Sequence, residues 1–346
     1  MNKLLKKVVS MFLVFAMVLS VGFINTDNVY AASSSSVLKS WNGTFEKSIN
    51  NTTGWCTDWV NFYKPNKNGR KSTSKWGIIK AKQPFIVMSI SGDYAKVKYG
   101  SRVGFIYNKY MMINLPDVLP SIQYNLVNAY SCMSKCMGKS ISGLTGKKFY
   151  STKKVYNKKI GRNEWIVPML YTTAVKIAKA QKAALKKGYG LKIYDAYRPY
   201  SVTRAMYPLF SNWLNKNKRV RNSAFTYQYG QSWFLAQNKS THNVASAIDV
   251  SMVNYSNGKE LKMPTAYDEM SKRAVKYANS STKNAKSGYA STMTSAAKTM
   301  NSIFIDAGMS TLASEWWHFQ DQAGFEFNRD LTDNLTNWYP TSLAYK

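Results

Sequence analysis

Only two histidines occur in this 346-residue chain, and each sits in a short cluster with an acid. The first cluster runs Ser240-Thr241-His242-Asn243-Val244-Ala245-Ser246-Ala247-Ile248-Asp249, the second Glu315-Trp316-Trp317-His318. Together they hold two imidazoles, one aspartate and a further glutamate. That is the donor set of a catalytic zinc site: three protein ligands, a fourth position open to water, and a carboxylate to move protons. A fold that uses it has to carry two segments far apart in sequence onto one ion. His242 and Asp249 alone are a weak signal, because a lone histidine is more often a hydrogen-bonded core residue. The small Ala245 and Ala247 between them let the backbone bend so that both side chains converge. Around Glu315 and His318 the two tryptophans make a desolvated wall, which strengthens electrostatics and raises the pKa of a nearby glutamate toward neutrality. An aromatic core with a buried ion pair is the competing explanation, and it leaves the convergence of both histidine clusters unexplained.

A third element is Tyr194-Asp195-Ala196-Tyr197-Arg198-Pro199. A strand ends, Pro199 forces a turn, and Arg198 is left at its rim. An arginine there can grip a carboxylate in two-pronged fashion, stabilise the oxyanion of a tetrahedral intermediate, or simply lie on the surface.

The start of the chain reads as an export signal over residues 1–31. Lys3, Lys6 and Lys7 precede an apolar stretch from Val8 to Phe23, and Val29-Tyr30-Ala31 ends in the small residue a signal peptidase expects. An uncleaved anchor is the less favoured alternative; no later apolar run is long enough to span a membrane. The chain holds 48 Lys and Arg against 17 Asp and Glu, a net charge of +31. Such a field favours polyanions. For an exported protein that means an anionic cell wall or membrane surface. The lysines are scattered and no nucleic-acid motif is present, so no specific nucleic acid is expected. Cys56, Cys132 and Cys136 are too few for a disulfide scaffold; one bridge with one free thiol is compatible with export.

A Ser-rich tether follows over 32–50. Residues 51–115 read as all-β: Ile86 to Ile90 is strand-like, Ser91-Gly92-Asp93 turns, Tyr94 to Tyr99 alternates with period two, Gly100-Ser101 turns again, and Val103 to Ile106 resumes. Pro116 and Pro120 mark a boundary. Residues 116–346 suffice for one α+β domain. Helices are expected over Pro168–Lys187, stopped by Gly188, over Val202–Asn215, kinked or broken at Pro208, and over Thr292–Ala307. Strands are expected over Leu191–Tyr194 and Ala247–Met252, the latter carrying Asp249.

Two resemblances sharpen this picture. Tyr94 to Tyr110, ending Gly104-Phe105-Ile106-Tyr107-Asn108-Lys109-Tyr110, resembles the bacterial SH3 domains of exported wall enzymes, which implies a small barrel that binds peptidoglycan. The ordered set D-x-Y-R-P, S-x-H-x-x-x-x-A-x-D and E-W-W-H resembles the zinc D-alanyl-D-alanine dipeptidases associated with vancomycin resistance, within the wider group of D-Ala-D-Ala carboxypeptidases and dipeptidases, over about residues 120–325. Met263 to Met270 matches that family's M-x-x-x-aromatic-D stretch. The resemblance implies an antiparallel sheet with flanking helices and one Zn²⁺ per chain on His242, Asp249 and His318. It implies Glu315 as general base and acid, Arg198 at the oxyanion, and Ser240 with Asp268 on the substrate's ammonium group. The family usually carries Gly where Ala245 stands, so this loop has to manage with negative φ or some strain. The segment around Cys132 and Cys136 looks longer than the family's.

The sequence therefore points to a secreted zinc metallopeptidase, associated with the cell wall, that cleaves D-Ala-D-Ala or related peptidoglycan peptides. Two alternatives stay open: a carboxypeptidase or endopeptidase on stem peptides, and a non-catalytic wall-binding protein.

Overall fold

The computed structural model describes residues 32–127, 131–150 and 153–345, so the expected signal at 1–31 lies outside the described residues. Helix α1 (Ser34–Lys39) lies in the Ser-rich segment, capped by Ser33, and seats Val37 against Leu185 and Tyr255. Seven strands follow: β1 (Thr52–Cys56), β2 (Val60–Pro65), β3 (Lys71–Ile79), β4 (Phe85–Ser91), β5 (Tyr94–Tyr99), β6 (Arg102–Tyr107) and β7 (Met111–Asn114). Gly92 and Gly100, at φ 55° and 58°, make the turns between β4, β5 and β6, a conformation that costs glycine little. Val87, Ala95, Val97 and Ile106 alternate inward to form the core of this part.

Short strands come next: β8 (Gln123–Tyr124), β9 (Lys135–Cys136), β10 (Lys139–Ser140), β11 (Val155–Asn157), β12 (Arg162–Glu164) and β13 (Pro168–Leu170). Strand β13 takes the first three residues of the expected 168–187 helix. It pairs antiparallel with β7, Met169 opposite Ile113, and the Leu170 N–H donates to the Ala245 carbonyl at 2.9 Å. The helix proper, α2, spans Tyr171–Lys186, and Gly188 at φ 75° turns the chain back.

The first large sheet therefore has the linear order β13-β7-β1-β4-β5-β6-β2-β3. No pairing among the described residues joins β13 to β3, and the strands expected to resemble an SH3 barrel share their sheet with residues 168–170. Buried polar contacts tie the two parts further. Asp117 accepts from the Thr53 N–H at 3.0 Å, from Asn157 at 2.7 Å and from the Tyr345 hydroxyl at 3.2 Å. The Thr57 hydroxyl donates to Asn328 at 2.7 Å.

After β14 (Tyr189–Asp195), helix α3 (Tyr200–Lys216) continues past Pro208 without a break. Pro208 is exposed, so the carbonyl of Arg204, which loses its helical partner there, sits on the wet side of the helix. Then follow α4 (Lys218–Ala224), β15 (Ala247–Asn254), β16 (Glu269–Met270), α5 (Ser295–Asp306), β17 (Ser310–Thr311), β18 (His318–Gln320) and α6 (Gln322–Asn328). Helix α5 starts three residues later than expected because the Thr294 hydroxyl caps it.

The central sheet of this half has the order β17-β18-β15-β14-β8, antiparallel except for β8 beside β14. Helices α2 and α5 pack on it, with Phe304 of α5 stacked on Phe319 of β18 at 4.1 Å. A three-stranded sheet β10-β9-β16 stands apart, β9 and β16 running parallel. The mixed architecture with antiparallel sheets and flanking helices agrees with the α+β expectation.

Candidate active site

Sheet register alone brings the two histidine clusters together. Asp249 of β15 lies directly opposite His318 of β18, and on its other side opposite Asp195 of β14. His242 reaches the same point from the one-turn 3₁₀ helix Thr241–Val244 that leads into β15. That turn is held from several sides. The Ser240 hydroxyl accepts from the His242 N–H at 3.4 Å, and the Asn243 amide donates to the Arg198 carbonyl and the Thr203 hydroxyl, both at 2.9 Å. Ala245 closes the turn at φ 57°, in the left-handed region. Of the two expectations for this loop, strain is the one realised.

His242 Nε2, His318 Nδ1 and Asp249 Oδ1 form a triangle with sides of 3.3, 3.4 and 3.1 Å. All three residues are buried, and together they are the group of His, Cys and acid side chains whose geometry suits a metal ion. A tetrahedral ion with bonds of about 2.0–2.1 Å has ligand-to-ligand edges of about 3.3–3.4 Å. The donor atoms already stand at that spacing.

The outer atoms of each ligand are fixed as a metal site requires. His242 Nδ1–H donates to the Ala196 carbonyl at 2.6 Å, which leaves the Nε2 lone pair inward. His318 Nε2–H donates to Gln320 Oε1 at 2.9 Å, which leaves Nδ1 inward. The Tyr267 hydroxyl donates to Asp249 Oδ2 at 3.1 Å. Burial alone would raise the Asp249 carboxyl, but the adjacent imidazoles outweigh it and hold the group far below the ordinary carboxylate range. The Lys276 Nζ, fully buried, donates to the His318 carbonyl at 3.1 Å and lies 3.8 Å over the Phe319 ring, and burial pushes its pKa well below the ordinary lysine value.

Glu315 stands beside this triangle, with Oε2 3.9 Å from His318 Nδ1. Trp316 and Trp317 are buried on either side of the chain there, and the Trp316 indole N–H donates to the Thr265 hydroxyl at 2.9 Å. Burial first, and then the charges of Asp249 and Asp268, push the Glu315 pKa well above the ordinary carboxylate value.

Arg198 is buried next to the ligands, with Nη1 3.0 Å from Asp195 Oδ2. Burial opposes its charge, but the Asp195 and Asp249 carboxylates prevail and hold its pKa above the usual value. Its Nε is buried and has no partner among the described residues. The Arg198 side chain also lines the cavity beside the donor triangle.

A cavity of about 220 Å³ is lined by Arg198, Ser240, Asp268, Glu315 and the three residues of the donor triangle, His242, Asp249 and His318. It is small beside the roughly 300–1,000 Å³ of ordinary ligand pockets, which suits a very short peptide. All seven residues singled out in the sequence thus meet in one place. Sequence reasoning missed Gln320, Tyr267 and the Ala196 carbonyl. Gln320 was legible in principle: two residues after His318 in a strand, it has to share that ligand's face. The three cysteines are buried and free, and burial pushes the thiols of Cys132 and Cys136 up to about 12.

Comparison with known proteins identifies the family. A family model described as D-Ala-D-Ala dipeptidase, of the M15 peptidases, matches residues 141–335, more than half of the chain. A D-alanyl-D-alanine dipeptidase of Enterococcus faecium is 26% identical over 156 residues, covering 43% of this chain and 70% of the relative. Another from Enterococcus faecalis is 25% identical over 154 residues, covering 42% of this chain and 69% of the relative. The matched region contains every ligand and acid described above. The chain belongs to the D-Ala-D-Ala dipeptidase family of M15 peptidases, a zinc-dependent family.

Proposed function

We propose that this protein is a secreted zinc peptidase that hydrolyses D-Ala-D-Ala or closely related short peptides of peptidoglycan. The observation that carries the reading is the donor triangle of His242, Asp249 and His318 at tetrahedral spacing, with an unspent carboxylate beside it. One Zn²⁺ held there would supply Lewis acidity and bring the pKa of water toward about 7.

The chain's own groups then divide the remaining work. Glu315 takes the proton from the attacking water and passes it to the leaving amine. Its desolvated position keeps its basicity near that task. Arg198, braced by Asp195, donates to the carbonyl oxygen as it becomes negative. Asp268 pairs with the α-ammonium of the substrate, and Ser240 adds a hydrogen bond from the cavity wall. An α-ammonium partner favours a free dipeptide over an internal peptide bond, which offers no amine at that position. Incubating purified protein with D-Ala-D-Ala and with a pentapeptide ending in D-Ala-D-Ala, with and without chelator, tests this directly. Free D-Ala from the dipeptide, abolished by chelator, is expected. Release from the pentapeptide alone would move the assignment to a carboxypeptidase.

The basic N-terminal strands support a wall partner. Within 51–115 the only acids are Asp58 and Asp93. Lys64 and Arg102 flank the Trp76 ring at 4.7 and 4.9 Å, and Lys71 sits over Tyr63 and Tyr94 at 4.3 and 4.7 Å. With cations already over their faces, these rings hold an array of positive charge and are poorly placed to stack bases. An anionic wall polymer fits such a surface better than nucleic acid. Sedimentation with purified walls, falling steeply with salt, is the expected behaviour. Salt-independent sedimentation would argue for a neutral ligand.

A further inference from the structure

A segment that lies before the family match packs behind Asp268 of the cavity wall, and one hydroxyl of that segment reaches the Asp268 carboxylate. Ser134 is fully buried, and its hydroxyl donates to Asp268 Oδ2 at 2.5 Å. The Cys132 thiol donates to the same Ser134 oxygen at 3.1 Å, so the serine's proton is directed onto the carboxylate. The Ser134 carbonyl accepts from the Thr145 hydroxyl at 2.5 Å, and the Lys135 N–H donates to the Asp268 carbonyl at 3.0 Å. One residue further, β9 and β16 pair in parallel, Lys135 opposite Glu269. Asp268 itself sits at φ 60°, a left-handed conformation that aspartate adopts more readily than most residues. Residues 132–136 precede position 141, where the family match begins.

We infer that Ser134 is the residue that sets this enzyme's demand for a free amino terminus, by locking the Asp268 carboxylate in the orientation that meets the substrate's α-ammonium. The inference rests on the reading of Asp268 given above. Ser134 does not line the cavity, so it acts through Asp268 and is a positioning residue. The bond from Ser134 holds Oδ2 of the carboxylate from behind, and the Thr145 and Lys135 bonds keep the Ser134 backbone in place. Loss of a hydrogen bond to a charged group is worth about 1.5–3 kcal/mol, or roughly 10- to 100-fold in binding. That loss falls on the step where the ammonium is gripped, so KM rises for substrates with a free amine and kcat changes little. Substrates with a blocked amine never used the grip and are unaffected.

The test compares D-Ala-D-Ala with N-acetyl-D-Ala-D-Ala as substrates of the zinc-loaded protein, with zinc content and melting temperature measured for each variant. In the wild type, kcat/KM for the free dipeptide should exceed that for the blocked one by more than about a hundredfold. Asp268→Ala should collapse that ratio. Ser134→Ala should lower it roughly tenfold or more through KM of the free dipeptide, and should lower it no further in the Asp268→Ala background. If Ser134→Ala does not fold, Ser134→Cys keeps the volume with a weaker donor, and the same ratio is read. A wild-type ratio in either Ser134 variant, or an equal loss on both substrates, overturns the role of Ser134 while leaving Asp268 in place. A wild-type enzyme that cleaves both substrates equally overturns the Asp268 reading and this inference with it.

Discussion

At the scale of single residues, the site separates ligands, acid and supports cleanly enough for each to be tested alone. Glu315 is near the donor triangle without belonging to it, with Oε2 3.9 Å from His318 Nδ1. Glu315→Ala should retain zinc and fold while turnover falls by at least about 10²–10⁴-fold, the usual weight of a positioned acid and base. Loss of zinc from that variant would make Glu315 a ligand. Gln320 fixes the His318 tautomer through a 2.9 Å bond. Gln320→Leu should weaken zinc affinity about 10–100-fold in a chelator competition, the range for partners behind a metal ligand. Unchanged affinity would mean that backbone geometry alone orients the ring. Legibility divided along the same line. The residues proposed to hold the ion or the substrate carry rare chemistry and were visible as His, Glu, Asp and Arg in tight motifs. Residues that contact them, such as Gln320, Tyr267 and Ser134, are ordinary polar side chains. Gln320 follows from strand spacing and Tyr267 sits in the motif from Met263 to Met270, but the partner of Ser134 across 134 residues is set by the fold and no local pattern records it.

At the scale of elements, periodicity located the helices and strands of the site but not where they exchange partners. The run from Pro168 has helical spacing throughout, yet Pro168–Leu170 is a strand because β7 offers a partner and Ala245 accepts the Leu170 N–H. Pro208 was expected to kink or break its helix. The helix is not broken there, since the carbonyl it orphans is on the exposed side. The opposition of Asp249 and His318 is a matter of register between β15 and β18, and sequence gives no direct measure of it. The 3₁₀ turn before β15 carries measurable strain at Ala245, which is buried at φ 57°. A left-handed alanine costs about 1–2 kcal/mol, and the extra freedom of glycine in the unfolded chain costs about 0.4–1 kcal/mol. Ala245→Gly should therefore stabilise the protein by about 0.5–1 kcal/mol in chemical denaturation, with zinc bound as before. Destabilisation would show that the surrounding bonds relieve the strain.

At the scale of the whole molecule, the basic N-terminal strands and the catalytic half are physically continuous. Strand β13 belongs to the first sheet and leads straight into α2, and Asp117 gathers donors from Thr53, Asn157 and Tyr345. Deleting 32–115 would strip β7 from β13 and leave buried polar groups without partners. Such a truncation should lose cooperative unfolding and most hydrolysis together, rather than wall attachment alone. A truncated chain that melts sharply and keeps full activity on a small peptide would establish two independent units. The central claim joins one metal ion to one small substrate, so a single titration bears on it most directly. Protein stripped with chelator is given increasing Zn²⁺, and D-Ala released from D-Ala-D-Ala is measured at each step. Release should be absent at the start, rise linearly and level off at one zinc per chain. Full release from the stripped protein, or none at any zinc concentration, would contradict the account.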